Sequence, residues 1–191
     1  MEEVKVCLNW LAHFHARFLN RKPEGLWEVG TYWHLATRPE ELEKIEDLKL
    51  KAKASEIDET LNSAQFQTIL HGDAKLANFC FSEDGKKVAA VDFQYVGGGC
   101  GMKDVAYFLG SGLAGAEVEK DEKELLQYYF DVLKLTHHAS INTEALEMEW
   151  RKLYPYAHAD FARFLLGWSP NHQKLNSYTL KKVEEVLREN F

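Results

Sequence analysis

Asp73, Asn78 and Asp92 are the residues of this sequence whose types and spacing could do chemistry. The runs Asn78-Phe79-Cys80-Phe81-Ser82 and Val88-Ala89-Ala90-Val91-Asp92-Phe93 flank Glu83-Asp84-Gly85-Lys86. An Asp-Gly pair between short apolar runs predicts a two-stranded hairpin. With the turn centred there, Asn78 falls opposite Val91 or Asp92, and Asp73 stands just before the first strand. A slip of one residue would turn Asp92 to the other face, so register decides whether the group assembles. A carboxamide oxygen and a carboxylate at one end of a hairpin are hard ligands of the kind magnesium takes while keeping water and substrate phosphates. A further carboxylate, Asp73, can orient an attacking hydroxyl and accept its proton. Phosphoryl transfer needs this positioning and charge neutralisation.

The same stretch resembles the kinase catalytic loop, which runs His-x-Asp to an Asn and is followed by a metal-binding Asp-Phe. Here the loop reads His71-Gly72-Asp73-Ala74-Lys75-Leu76-Ala77-Asn78, with Asp92-Phe93-Gln94 after it. Gly72 within the loop and Gln94 after Asp-Phe resemble the aminoglycoside phosphotransferase and choline kinase group, and within it the ecdysteroid-kinase-like branch. Lys103-Asp104-Val105-Ala106-Tyr107-Phe108-Leu109 is similar to the Asp-Leu-Ala segment of that group. Leu11-Ala12-His13-Phe14-His15-Ala16 is similar to the helix that opens its C-terminal lobe.

The resemblance implies ATP and Mg2+ as cofactors and transfer of the γ-phosphate to a small-molecule alcohol. It implies Asp73 as catalytic base, Asn78 and Asp92 as the metal and nucleotide ligands, and Lys75 beside the γ-phosphate. His71 and Asp104 would hold the loop in place. The acidic balance suits a cationic acceptor such as an amino alcohol or aminoglycoside, and the branch suits a hydrophobic alcohol such as a steroid. A non-catalytic kinase-like module and a metal-dependent phosphohydrolase are competing readings. Taken without the resemblance, Asp73 and Asn78 could be turn-forming and capping residues, and Lys75 an exposed lysine.

Other motifs point elsewhere. Gly97-Gly98-Gly99-Cys100-Gly101 lacks the Gly-Lys-Ser/Thr ending of a phosphate loop and reads as a mobile connector. His13 and His15 stand two apart on a helix and do not share a face, so a metal pair is not expected. His137-His138 reads as compensation of a helix C-terminus or as surface. Trp150, Tyr154, Tyr156, Phe161, Phe164 and Trp168 recur at near-helical spacing and read as core, with one or two available to line an acceptor pocket.

Helical patterns must position these groups. They cover Val4–Leu19, Glu40 to about Leu61, Lys103–Leu113, Val118–Leu135, Glu144–Leu166 and Asn176–Glu189. An aromatic-rich loop with Trp27, Tyr32 and Trp33 separates the first two. The expected fold class is mainly α with a small β-hairpin, a protein-kinase-like C-terminal lobe. No N-terminal β lobe with a phosphate lysine is recognisable before His71. The whole of 1–191 reads as one such domain, with catalytic loop 71–78 and metal-binding segment 92–94, and the surface left by the missing lobe offers a route to homo-oligomers.

The chain has 191 residues, 46% hydrophobic and 13% aromatic, enough for a folded core. A net charge of −7 argues against nucleic acid as a partner. No apolar run is long enough to span a bilayer, and no secretory signal pattern opens the sequence. Cys7, Cys80 and Cys100 are scattered and odd in number, which predicts a reducing, cytoplasmic setting without disulfides.

Overall fold

The computed structural model describes residues 2–112, 115–136 and 141–188. Helix α1 (Glu2–Phe18) buries Val4, Cys7, Leu8, Leu11, Ala12, His15 and Ala16, the three-and-four spacing of a helix with one covered face. Glu2 and Glu3 occupy its first turn, where the helix dipole favours negative charge. After α1 the chain turns through Asn20, whose φ of 58° is left-handed, and runs irregularly to a short 3-10 turn at Leu35–Thr37. This irregular stretch still contributes core, because Trp33 is fully buried.

The predicted helix from Glu40 to Leu61 is two helices. α2 (Pro39–Glu43) ends, and α3 (Leu48–Asn62) begins after Asp47. The Asp47 carboxylate accepts from the Lys49 and Leu50 amides at 3.0 and 3.1 Å, so a capping side chain interrupts a run whose helical pattern is otherwise continuous. Buried Ile45 lies in the break.

Among the described residues four short strands form two antiparallel pairs. β1 (Thr68–Leu70) precedes the 71–78 loop, β2 (Phe79–Phe81) follows it, and β3 (Val88–Ala90) pairs with β2. The register sets Phe79 against Ala90, which leaves Asn78 facing Val91. A hydrogen bond of 2.9 Å from the Val91 amide to the Asn78 carbonyl extends the ladder by one step. Both strands are shorter than the apolar runs suggest, and Asp92 lies beyond β3.

The glycine run is not a mobile connector. Gly97–Gly99 is β4, paired with β1. Close packing selects glycine here: a Cβ on Gly97 would meet the Trp27 carbonyl, and one on Gly98 the Glu28 carbonyl at 2.7 Å.

Among the described residues four more helices follow: α4 (Met102–Gly112), α5 (Gly115–Thr136), α6 (Thr143–Trp168) and α7 (Ser177–Arg188). α5 packs on α1, while α6 contacts α2, α3, α4 and α7 and so serves as the spine. Of the aromatic series on α6, Trp150, Tyr154, Tyr156, Phe161 and Phe164 are buried and Trp168 is exposed. His137-His138 lies outside the described residues.

The base of α4 carries a fully buried ionic group. Arg163 donates to Asp160 at 2.7 Å, and Lys103 Nζ stands 3.2 Å from the same carboxylate, close enough to pair though not aligned for a hydrogen bond. Trp33 Nε1 donates to Asp160 at 3.0 Å. Burial would raise the Asp160 carboxyl, but the two cations outweigh it and hold it below the usual range. Among the described residues no helix is long and apolar enough to cross a membrane.

Candidate active site

The loop from His71 to Asn78 hangs between β1 and β2 and is held from behind by α4. Asp104, in the first turn of α4, accepts from the His71 amide at 2.6 Å and the Gly72 amide at 3.0 Å. His15 of α1 meets the same carboxylate at 3.1 Å and the Tyr129 hydroxyl at 2.7 Å, so one buried acid ties α1, α4 and the loop together. Burial alone would raise the Asp104 carboxyl; His15, His71 and the Gly72 amide lower it further than that. Gly72 has φ +83°, and a Cβ there would collide with the Tyr95 carbonyl, so the loop can pass this point only as glycine.

His71 is fully buried. Its Nδ1 accepts from the Asp73 amide at 3.3 Å, which leaves Nε2 to donate to the Val91 carbonyl at 2.9 Å. Its ring lies 4.6 Å from that of Phe93. The histidine thus clamps the loop to the chain just before Asp92.

Asp73 is saturated. Oδ1 accepts from the Tyr107 hydroxyl at 3.0 Å, and Oδ2 accepts from Lys75 Nζ at 2.8 Å and from Asn78 Nδ2 at 3.0 Å. Asn78 Nδ2 also donates to the Asp73 carbonyl at 2.8 Å. With both acceptors on that side, the amide orientation is fixed and the Asn78 Oδ1 faces away, taking no hydrogen bond among the described residues.

Asp92 contrasts with this. It is exposed, has no hydrogen bond or ion pair among the described residues, and holds φ +67°. A left-handed backbone at a non-glycine residue costs roughly 1–2 kcal/mol, less for Asp than for bulkier side chains. Such strain is a common mark of functional positions. A second strained residue borders the loop: Thr31, with φ +93°, donates its amide to the Tyr95 carbonyl at 3.2 Å and buries an unpartnered hydroxyl.

Two cavities adjoin the site. One of about 210 Å³ is lined by Trp27, Thr31, Tyr32, His34, Arg38 and Tyr95. The other, about 470 Å³, lies under the end of α1 and is lined by Phe14, Phe18, Arg17, Arg21, Leu26 and Phe93 among others. Lys174, from the segment between α6 and α7, donates to the Tyr107 hydroxyl at 3.0 Å, and Tyr32 donates to the same oxygen at 3.3 Å.

The structure therefore brings Asp73, Lys75, Asn78, His71 and Asp104 into one hydrogen-bonded group, and sets Asp92 at its edge through the Asn78–Val91 pairing. Sequence reasoning missed Tyr107, Lys174, Tyr32 and the anchoring role of His15. For Tyr107 a faint signal exists, three positions after Asp104 on one helix; for Lys174 there is none.

The fit to a metal can be tested on these atoms. Asn78 Oδ1 and the Asp92 carboxylate are uncommitted oxygens, which suits magnesium. Among the described residues no cluster of three or more His, Cys, Asp or Glu gathers round one point. An ion held here would take its remaining ligands from phosphate and water.

No curated protein and no solved structure matches the chain. The model of the Ecdysteroid kinase-like family matches residues 28–142, more than half of the sequence and all of the segment from the 71–78 loop through α4. With that match, and with the loop geometry described, the chain belongs to the ecdysteroid kinase-like family.

Proposed function

We propose that this chain is the helical, catalytic-loop-bearing lobe of an ATP-dependent phosphotransferase that acts on an alcohol group of a small molecule. One observation carries the reading: across a single hairpin end, Asp73 is held rigid by three donors while Asn78 Oδ1 and Asp92 are left uncommitted. Groups that await a ligand and a base that is already aimed are what positional catalysis needs.

In this mechanism Asn78 Oδ1 and Asp92 would hold the metal, and Asp73 orients the acceptor hydroxyl and takes its proton. Lys75, paired with Asp73 and partly exposed, stands where it can meet a phosphate oxygen. Bound magnesium–ATP supplies the transferable phosphoryl group and neutralises its charge. Three free cysteines, two of them buried, suit a reducing, cytoplasmic location.

The acceptor side favours an uncharged alcohol. The cavity beside Tyr32 has an aromatic lining and Arg38 but no carboxylate to neutralise a cation. The test is magnesium-dependent ADP release in the presence of a panel of neutral and cationic alcohols. Turnover with a neutral acceptor that falls by about 10²–10⁴ in Asp73→Asn supports the reading. Phosphate release independent of every acceptor would instead favour hydrolysis.

A non-catalytic binding module is the second reading. It is favoured by the exposure of Asp92 and by the absence, among the described residues, of any sheet larger than two strands. Nucleotide binding without turnover by any acceptor would select it.

A further inference from the structure

Lys174 lies outside the residues that carry the family match, in the 169–176 segment before α7. Its ammonium is 3.0 Å from the Tyr107 hydroxyl and 4.4 Å from the centroid of that ring. Among the described residues no carboxylate is within ion-pair distance of it, whereas Lys75 pairs with Asp73 directly. A half-buried ammonium without a paired acid is costly unless its charge is used. Burial lowers its pKa to about 8, opposed by the attraction of Asp73.

The direction of every proton in this chain follows from the groups themselves. A phenol has one proton and two lone pairs, an ammonium can only donate, and a carboxylate can only accept. Tyr107 must therefore accept from Lys174 and give its single proton to Asp73 Oδ1, at 3.0 Å. The Tyr32 hydroxyl fills the second lone pair. Oδ1 is thus pinned through Tyr107 from one side while Lys75 and Asn78 pin Oδ2 from the other.

We propose that Lys174 is a positioning residue for Asp73, acting through the Tyr107 hydroxyl. The inference rests on the phosphotransfer reading above. The simpler role for Lys174 is packing: its ammonium also lies 5.7 Å from the Phe161 ring centroid, and a cation over two rings stabilises by itself. The groups facing it are Asp73 and Lys75 of the loop, Tyr107 of α4, Tyr32, and His172 on its own segment.

A double-mutant cycle on the full chain separates the two roles, with acceptor-dependent ADP formation as readout. In Lys174→Met, kcat should fall by about tenfold with the KM for ATP unchanged, and Lys174→Arg should recover most of the loss. Tyr107→Phe and the double variant Tyr107→Phe/Lys174→Met should be equally impaired, because the lysine then has nothing to act through. Unchanged kcat in Lys174→Met, or losses that multiply in the double variant, would overturn the proposal. Were wild type no more active than Asp73→Asn, the phosphotransfer reading would fall, and lysine side-chain NMR decides the coupling. The Lys174 midpoint near pH 8 should drop in Asp73→Asn and shift in Tyr107→Phe; a midpoint indifferent to both refutes the relay.

Discussion

Asp104 and Asp92 are the same side chain on opposite sides of the glycine strand, and they have opposite environments. Asp104 is fully buried, sits in a helical first turn and takes three donors from two elements. Asp92 is exposed, strained and unpartnered among the described residues. The first belongs to a scaffold that satisfies itself. The second has geometry that the fold maintains at a cost and does not use. The difference separates a carboxylate that the fold satisfies by itself from one that is proposed to take a ligand.

Removing Asp104 should do the greater damage. Asp104→Ala leaves the His71 and Gly72 amides and His15 without an acceptor, and should cost about 3–5 kcal/mol in urea unfolding. A loss below about 1 kcal/mol would mean that the loop has another anchor.

The acid limb of stability should likewise belong to buried groups. Burial lowers His158 to about 3, with Lys182 adding to the effect. Its unfolded value is about 6.5, so below that pH the unfolded chain binds a proton that the folded chain refuses. Stability should therefore fall from about pH 6.5 down toward 3, by at most about 1.4 kcal/mol per unit from this residue. His158→Leu should flatten that limb. The depressed Asp104 carboxyl acts in the same direction at lower pH: its stabilisation is present above its unfolded pKa and lost as pH falls through the folded value.

The smallest effect has the opposite sign. Asp92→Gly relieves a left-handed backbone, partly offset by the freedom glycine adds to the unfolded chain, and should raise stability by about 0.5 kcal/mol, measured as a higher urea midpoint. The same substitution removes the carboxylate proposed for the metal. A variant that gains stability and loses nucleotide binding would set Asp92 apart from every scaffold residue; lost stability would put it among them.

The helices were legible because apolar spacing is local, and the hairpin because Asp84-Gly85 announces it. The break before α3 was visible in principle as Asp47 ahead of Lys49 and Leu50, but a charge-rich helical pattern runs across it. β4 could not be read, since glycines show no alternation, and what selects them is the backbone of Trp27, Glu28 and Gly30 packed against them. Within the site, the group from His71 to Asp92 was readable as a short-range motif. Tyr107 and Lys174 meet at Asp73 only after α4, α6 and the 169–176 segment have packed. The left-handed turn at Asp92 has only a weak signature in residue type, since aspartate tolerates that region better than most residues.

Whether Asn78 and Asp92 bind a metal–nucleotide complex is decided by calorimetry of ATP binding with and without magnesium, on wild type and Asp92→Ala. Magnesium-dependent binding should be abolished in Asp92→Ala, with a stability loss of no more than about 1 kcal/mol because alanine tolerates the left-handed backbone less well than aspartate. Binding that is indifferent to magnesium, or that survives the substitution, would contradict the assignment of Asn78 and Asp92 as the ligands of a metal–nucleotide site.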